Sequence, residues 1–154
     1  MCMNEFLNNK FIRVNRMQAR IKLIENACLL AESSSGHGVV IDGAHEIGGR
    51  NLGVRPMEMI LMGLGGCTAM DVLSILKKKR QHVTDCVVEI DGQRRDEYPK
   101  IFTAIHIHFI VSGHDLKDNQ VKQAVDLSAQ KYCSVSAMLE AKVKITHDFE
   151  IVAQ

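Results

Sequence analysis

Residues 56 to 80, PMEMILMGLGGCTAMDVLSILKKKR, decide the fold that we expect for this chain. Pro56 suits the first turn of an α-helix, where its missing N–H is no loss. The basic residues 77 to 80 suit the last turn, at the negative end of the helix dipole. Between these ends, apolar residues point in almost every direction around the predicted helix. A helix that is apolar all round is buried all round, so either the fold wraps it on both sides or a second subunit covers it.

Strand-like segments lie on both sides of this helix. Before it, residues 17 to 41 are typical of a meander of three short strands, with turns at Asn26 and at residues 33 to 36, and a glycine-rich loop follows. After it we predict three more strands and a second helical region, at residues 82–92, 101–111, 142–152 and about 121–140. The order βββ-α-ββ-α-β predicts one α+β domain over residues 17 to 154, with residues 1 to 16 as an N-terminal extension.

The composition excludes several classes of protein. The chain has 154 residues, of which 46% are hydrophobic and 24% charged, as in soluble globular proteins. A net charge of +1 and 5% aromatic residues argue against a nucleic-acid partner. The apolar stretch between Glu58 and Asp71 is shorter than the roughly 20 residues of a membrane span, and residues 1 to 16 lack the apolar core of a secretory signal. We therefore expect a cytoplasmic protein with no membrane partner.

Five cysteines without a CxxC pair argue against a zinc ribbon or a thioredoxin-type motif and indicate free thiols. Cys67 follows three glycines of the long helix, Gly63, Gly65 and Gly66, each of which costs about 1 kcal/mol relative to alanine. These glycines favour either close helix–helix packing or a small space beside the Cys67 sulfur.

Cys133 lies in the second helical region. If the two helices pack together, Cys67 and Cys133 come within disulfide reach, near 5.5 Å between Cα atoms. Cys28 and Cys86 lie in strand-like segments and are interpreted as inert, and Cys2 as exposed and uninformative.

Charged residues near Cys67 bear on its reactivity. Asp71 lies one turn on, on the same helix face, and a carboxylate so close raises the pKa of a thiol unless a cation intervenes. Arg50 and Arg55 are the nearest cations in the sequence. The simpler interpretation of Asp71 is a solvated or capping carboxylate, which we favour slightly.

Two histidines form a second candidate site. His106 and His108 share one face of a predicted strand, a spacing that can hold a metal ion. Because no third ligand is fixed by spacing, we interpret them as an exposed pair and expect neither a metal nor a cofactor.

The stretch RPMEMILMGLGGCTAMDVLSILKKKR, together with KYCSV at residues 131 to 135, resembles the OsmC/Ohr family of osmotically inducible protein C and organic hydroperoxide resistance proteins. The resemblance extends from about Met17 to Val152, and the nearest branch is the YhfA-like one. It implies an OsmC-like intertwined homodimer, in which two long central helices lie between sheets built from both subunits. It also implies a thiol peroxidase site at the subunit interface.

The resemblance further implies roles for individual residues. Cys67 matches the peroxidatic cysteine, whose thiolate attacks a peroxide and becomes a sulfenic acid. Cys133 matches the resolving cysteine, which condenses with it to a disulfide, and an external dithiol, often of the lipoyl type, restores both thiols. The implied function is the reduction of organic hydroperoxides or hydrogen peroxide in oxidative-stress defence.

The family's activating residues match less directly. Its peroxidases place a glutamate directly after the helix proline, where this chain has Met57 and only then Glu58. One residue turns a side chain by about 100° around a helix. We take Glu58 and Arg55 as the candidate pair that holds the thiolate, with Arg20 and Arg50 as alternatives for the arginine.

Two other functions remain open from the sequence. One is a non-enzymatic dimer that binds a small apolar ligand in the glycine-lined space. The other is a metal-binding protein that uses His106 and His108.

Overall fold

The computed structural model describes residues 16 to 154. The six strands are β1 (Ala19–Glu25), β2 (Cys28–Ser33), β3 (Gly38–Ile41), β4 (His82–Arg94), β5 (Phe102–His114) and β6 (Lys144–Ala153). The three α-helices are α1 (Pro56–Lys78), α2 (Asp118–Leu127) and α3 (Ser134–Leu139). This order confirms the predicted βββ-α-ββ-α-β arrangement and the α+β class. The interpretation of residues 1 to 15, including Cys2, lies outside the described residues.

The described residues divide into two compact units, residues 16–56 and Met57–Gln154. The prediction of one domain over residues 17 to 154 stays a prediction. In the first unit, β1, β2 and β3 form an antiparallel sheet in that order. The predicted turn at Asn26 is present, with a positive φ of 49°.

Asp42 organises the glycine-rich loop of the first unit. Its carboxylate is buried and accepts hydrogen bonds from the backbone N–H groups of Gly43 (2.7 Å), Leu52 (2.9 Å) and Arg50 (3.0 Å). These bonds, led by the one from Leu52, hold the pKa of Asp42 below its ordinary value despite burial. The loop is therefore held at several points of its backbone.

The second unit is built on a mixed sheet in the order β4-β5-β6. β4 pairs antiparallel with β5, and β6 pairs parallel with β5. Parallel neighbours need a long crossover connection, which α2, α3 and the segment between them provide. One face of β5 is buried in the core, through Ile105, Ile107, Phe109 and Val111. α1 and α2 contribute to this core through Leu64, Val72, Leu76, Val121 and Val125.

α1 has 23 residues and is therefore about 34 Å long. It ends at Lys78, two residues before the predicted end, because Arg80 adopts a positive φ of 56°. The N–H of Gln81 donates to the carbonyl of Leu76 and that of Arg80 to the carbonyl of Lys77, each at 3.0 Å. These bonds form a Schellman motif.

Only one face of α1 is buried in the part of the chain that the structure describes. Its buried residues include Leu64, Thr68, Val72 and Leu76. Met62 and Met70, in contrast, are 59% and 74% exposed. These side chains of α1 are therefore exposed in the described chain, and the homodimer implied by the resemblance stays a prediction.

By length and composition, α1 as a whole is apolar enough to cross a membrane. The expectation of a protein with no membrane partner stays a prediction. A core helix of a soluble protein passes the same test, and the packing of Leu64, Val72 and Leu76 in the core of the second unit agrees with the interpretation of a packed helix.

Several other boundaries differ from the predictions. β5 continues to His114 because Ser112 and Gly113 keep their pairing with both neighbouring strands. The second helical region is interrupted: α2 ends at Leu127, and a π-helical turn, Ser128–Tyr132, separates it from α3. This interruption places Cys133 directly before α3.

Candidate active site

Cys67 lies on α1, where the three preceding glycines have different environments. A Cβ at Gly65 would lie 2.8 Å from Cδ1 of Ile90 on β4, so this glycine allows α1 to approach the sheet closely. At Gly63 and Gly66 a Cβ would meet nothing within 4 Å in the described chain. Gly65 therefore packs closely against a strand, which differs from the predicted helix–helix packing. The Cys67 side chain itself is half-buried.

The π-helical turn positions Cys133. The N–H of Cys133 donates to the Ser128 carbonyl at 2.9 Å, and the Cys133 sulfur accepts from the N–H of Ser136 at 3.4 Å as the N-cap of α3. Cys133 is only 3% exposed. Burial raises the pKa of its thiol, and the neighbouring Cys67 adds to that rise, against the opposing Ser136 hydrogen bonds. Cys133 is therefore held as a protonated thiol at neutral pH.

The second unit brings the two sulfurs and a carboxylate together. The Sγ atoms of Cys67 and Cys133 and a carboxylate oxygen of Asp71 all lie within 4.8 Å of one another. Both cysteines are free thiols. We call these three residues the thiol–carboxylate cluster. The distance between the two sulfur atoms therefore confirms the prediction that Cys67 and Cys133 lie close together.

Asp71 differs from the favoured interpretation of a solvated or capping carboxylate. It lies in the interior of α1, is half-buried, and has its Oδ2 3.4 Å from the hydroxyl oxygen of Ser128. The same hydroxyl lies 3.5 Å from the Thr68 carbonyl. Ser128 therefore ties the π-helical turn to α1 beside the two sulfurs.

The other predicted site residues lie outside the thiol–carboxylate cluster. Glu58 occupies the first turn of α1 and is not a member of the cluster. Arg55 belongs to the first unit, where its Nη1 donates to the backbone carbonyl of Asp42 at 3.2 Å. The alternatives also belong to the first unit: Arg20 pairs with Glu32 at 2.7 Å, and Arg50 with Glu25.

Sequence reasoning missed Ser128 and Ser136. Ser136 has a local signal, because an N-cap side chain accepts from the backbone N–H two or three residues on, and Ser136 follows Cys133 by that spacing. Ser128 has no such signal, since only tertiary packing brings it to Asp71.

Of the predicted exposed histidine pair, His106 is exposed, whereas His108 is half-buried. The side chains of His106 and His108 are 45% and 30% exposed, and both contact Asp148 on the adjacent β6, His108 Nδ1 at 2.5 Å and His106 Nε2 at 3.3 Å. The hydrogen bond to Asp148 raises the pKa of His108, and the pKa of Asp148 is lowered in return. Sequence reasoning did not find Asp148, because it reaches the histidines through the parallel pairing of β5 and β6.

Comparison with known proteins identifies the fold. Residues 48 to 148 match the family model described as OsmC-like protein. The chain belongs to this OsmC-like family. It is 54% identical over 140 residues to the protein YhfA of Escherichia coli K12, across 89% of this chain and 99% of YhfA. The predicted membership of the OsmC/Ohr family and its similarity to the YhfA branch are confirmed.

Solved OsmC-like structures agree. A hypothetical protein from Aquifex aeolicus VF5 is 32% identical, with a TM-score of 0.80 over 90% of this chain and 98% of that one. The organic hydroperoxide resistance protein OhrB of Bacillus subtilis is 17% identical, with a TM-score of 0.61 over 88% of this chain and 98% of that one. At 17% identity, the similarity to OhrB shows only that the two proteins share a fold.

Proposed function

We propose that this OsmC-like protein is a thiol-dependent peroxidase that reduces organic hydroperoxides or hydrogen peroxide through Cys67 and Cys133. The observation that carries the proposal is the approach of the two sulfurs to within 4.8 Å. A protein of the same fold, OhrB, is named for organic hydroperoxide resistance. The proposed setting is oxidative-stress defence in the cytoplasm, where dithiol reductants keep such cysteines reduced.

The different exposure of the two cysteines assigns their order of reaction. Cys67 is half-buried, whereas Cys133 is 3% exposed and its pKa is raised. A peroxide therefore reaches Cys67 first. Its thiolate attacks one peroxide oxygen, an S–O bond forms as the O–O bond breaks, and the departing oxygen takes a proton to give an alcohol or water.

The second step closes the disulfide. The Cys133 thiol attacks the Cys67 sulfenic acid, the S–S bond forms, and water leaves. The sulfurs have to approach from within 4.8 Å to about 2.05 Å. An external dithiol, of the lipoyl type in our proposal, then reduces this disulfide and is itself oxidised to a disulfide.

The thiolate of Cys67 also has to be stabilised, because Asp71 places a negative charge close to it. We assign this role to Arg55 and Glu58, with the arginine as the cation and the glutamate as the residue that orients it. Arg55→Lys keeps the charge but loses the planar fork of donors. It is expected to slow the reaction with peroxide less than Arg55→Ala does.

The proposed peroxidase is a homodimer. The apolar residues of α1 that one chain leaves exposed, among them Met62 and Met70, would be covered by a second copy. Multi-angle light scattering should give twice the mass of 17.2 kDa. A chain that is monomeric at micromolar concentration would contradict this part of the proposal.

Peptide mapping after peroxide treatment tests the function. Reduced protein is treated with one equivalent of cumene hydroperoxide, and we expect a Cys67–Cys133 disulfide together with consumption of the peroxide. Cys133→Ser should instead retain Cys67 as a sulfenic acid that dimedone traps, and Cys67→Ser should consume no peroxide. Cys86→Ser is the matched control and should behave like the wild type.

A wild-type protein that neither consumes peroxide nor forms this disulfide would contradict the proposal. A non-enzymatic dimer with a small apolar ligand would then be the better account, and native mass spectrometry would search for that ligand.

A further inference from the structure

We propose that the reduced thiol–carboxylate cluster of Cys67, Asp71 and Cys133 is a binding site for one thiophilic divalent cation, Zn²⁺ in the first instance, and that the bound ion occupies both thiols. The site uses the two sulfurs of the proposed peroxidase but does not depend on that activity.

The ligand set fits zinc. Zinc binds thiolate sulfur at about 2.3 Å and carboxylate oxygen at about 2.0–2.2 Å, in tetrahedral geometry. Two thiolates of such a site are about 3.8 Å apart. The three ligand atoms here lie within 4.8 Å of one another, so rotamer adjustments of about 1 Å would close them around an ion.

The charge of the cluster also favours a cation. The ion pairs found among residues 16 to 154 do not include Asp71, whose hydrogen-bond partner is the neutral Ser128. A divalent ion among the three ligand atoms would be the largest local charge, and a bound metal favours deprotonated ligands.

The surroundings hold the ligands in place. The backbone N–H of Ser136 donates to the Cys133 sulfur at 3.4 Å, and the Ser128 hydroxyl lies 3.4 Å from Oδ2 of Asp71. Hydrogen bonds of this kind orient metal ligands. Three protein ligands leave a fourth position for water or an added thiol, as in zinc sites that are not purely structural.

Zinc binding occupies the thiol groups of both Cys67 and Cys133. Zn²⁺ displaces the two thiol protons into the solvent and forms one bond to each sulfur and one to the carboxylate, with no change of oxidation state. The sulfur electron pairs that would attack a peroxide are then shared with the metal. Removal of the ion by a chelator restores the free thiols.

The test uses the full-length protein, reduced with a phosphine and kept free of oxygen. Titration with Zn²⁺ by calorimetry should give one ion per chain. Titration with Cd²⁺ should give the ultraviolet charge-transfer absorption of two thiolates. Cys67→Ser, Cys133→Ser and Asp71→Asn should each weaken binding by tenfold or more, since loss of even an outer-shell partner costs 10–100-fold in affinity.

Two control variants separate this site from others. Cys86→Ser removes a thiol outside the cluster, and His108→Ala removes the histidine site beside Asp148; both should bind Zn²⁺ like the wild type. Unchanged affinity in Asp71→Asn, or loss of binding in His108→Ala but not in Cys67→Ser, would overturn the proposal.

Alkylation of the wild type gives a readout that needs no variant. Zn²⁺ should slow the modification of the half-buried Cys67 by iodoacetamide, and a chelator should reverse this protection. Absence of protection at saturating Zn²⁺ would overturn the proposal. Because these measurements contain no peroxide, a protein that binds zinc but forms no peroxide-driven disulfide would refute the peroxidase alone, and the reverse result would refute the metal site alone.

Discussion

The close approach of α1 to the sheet at Gly65 is tested by Gly65→Ala, alone and combined with Ile90→Val. The alanine Cβ would lie 2.8 Å from Cδ1 of Ile90, whereas the next atom of that side chain, Cγ1, is 3.8 Å away. Ile90→Val deletes the clashing Cδ1 atom. The pair therefore forms a double-mutant cycle around one interatomic contact.

The magnitudes follow from two opposing terms. Alanine gains about 1 kcal/mol over glycine in a helix, and overpacking costs about 1–3 kcal/mol. Gly65→Ala should thus lower the free energy of unfolding by about 0–2 kcal/mol in the wild type. Ile90→Val alone costs about 0.5–1.5 kcal/mol. In the Ile90→Val background, Gly65→Ala should instead stabilise by about 1 kcal/mol, which gives a coupling energy of about 1–3 kcal/mol.

Equilibrium unfolding in urea at fixed protein concentration measures all four proteins. Gly63→Ala is the matched control, because its Cβ meets nothing within 4 Å and should show no coupling to Ile90→Val. The rate of the peroxide-driven disulfide should fall in Gly65→Ala and recover in the double variant, since a displaced α1 moves Cys67. A coupling energy below about 0.5 kcal/mol would refute the reasoning.

Two further predictions concern side chains around the sheet and the cluster. Asp148→Asn should lower the pKa of His108 in an NMR titration, because the Asp148 hydrogen bond is the main cause of its raised value; an unchanged pKa would contradict this. In the wild type, the contribution of His108 to stability is present below the unfolded pKa of about 6.5 and is lost as pH rises through the raised folded value. The contribution of Asp148 is present above about pH 3.9 and is lost as pH falls through its lowered folded value. Ser128→Ala should lower the free energy of unfolding by about 0.5–1.5 kcal/mol and weaken zinc binding, whereas Ser134→Ala serves as a nearby control; equal effects of the two would count against the role of Ser128.

Much of the fold follows from local patterns. The start of α1 at Pro56 and the alternation along β5 can be predicted from the sequence, because helix caps and strand periodicity depend on neighbouring residues. The end of α1 is harder to predict from the sequence, because the residue with a positive φ at this end is Arg80 and not a glycine. The π-helical turn before Cys133 has no distinct composition, so the pattern indicated only a continuing helical region.

For the candidate site, the amino-acid order alone was enough to place Cys67 and Asp71 on one face of α1, because residues four apart on a helix are neighbours wherever the helix packs. It was also enough to single out Cys133 through the family resemblance. The distance from Cys133 to the other two residues was decided only by the tertiary structure. It depends on how the crossover segment returns along the sheet and where the π-helical turn interrupts it, and such long-range placement is set by the packing of the whole second unit.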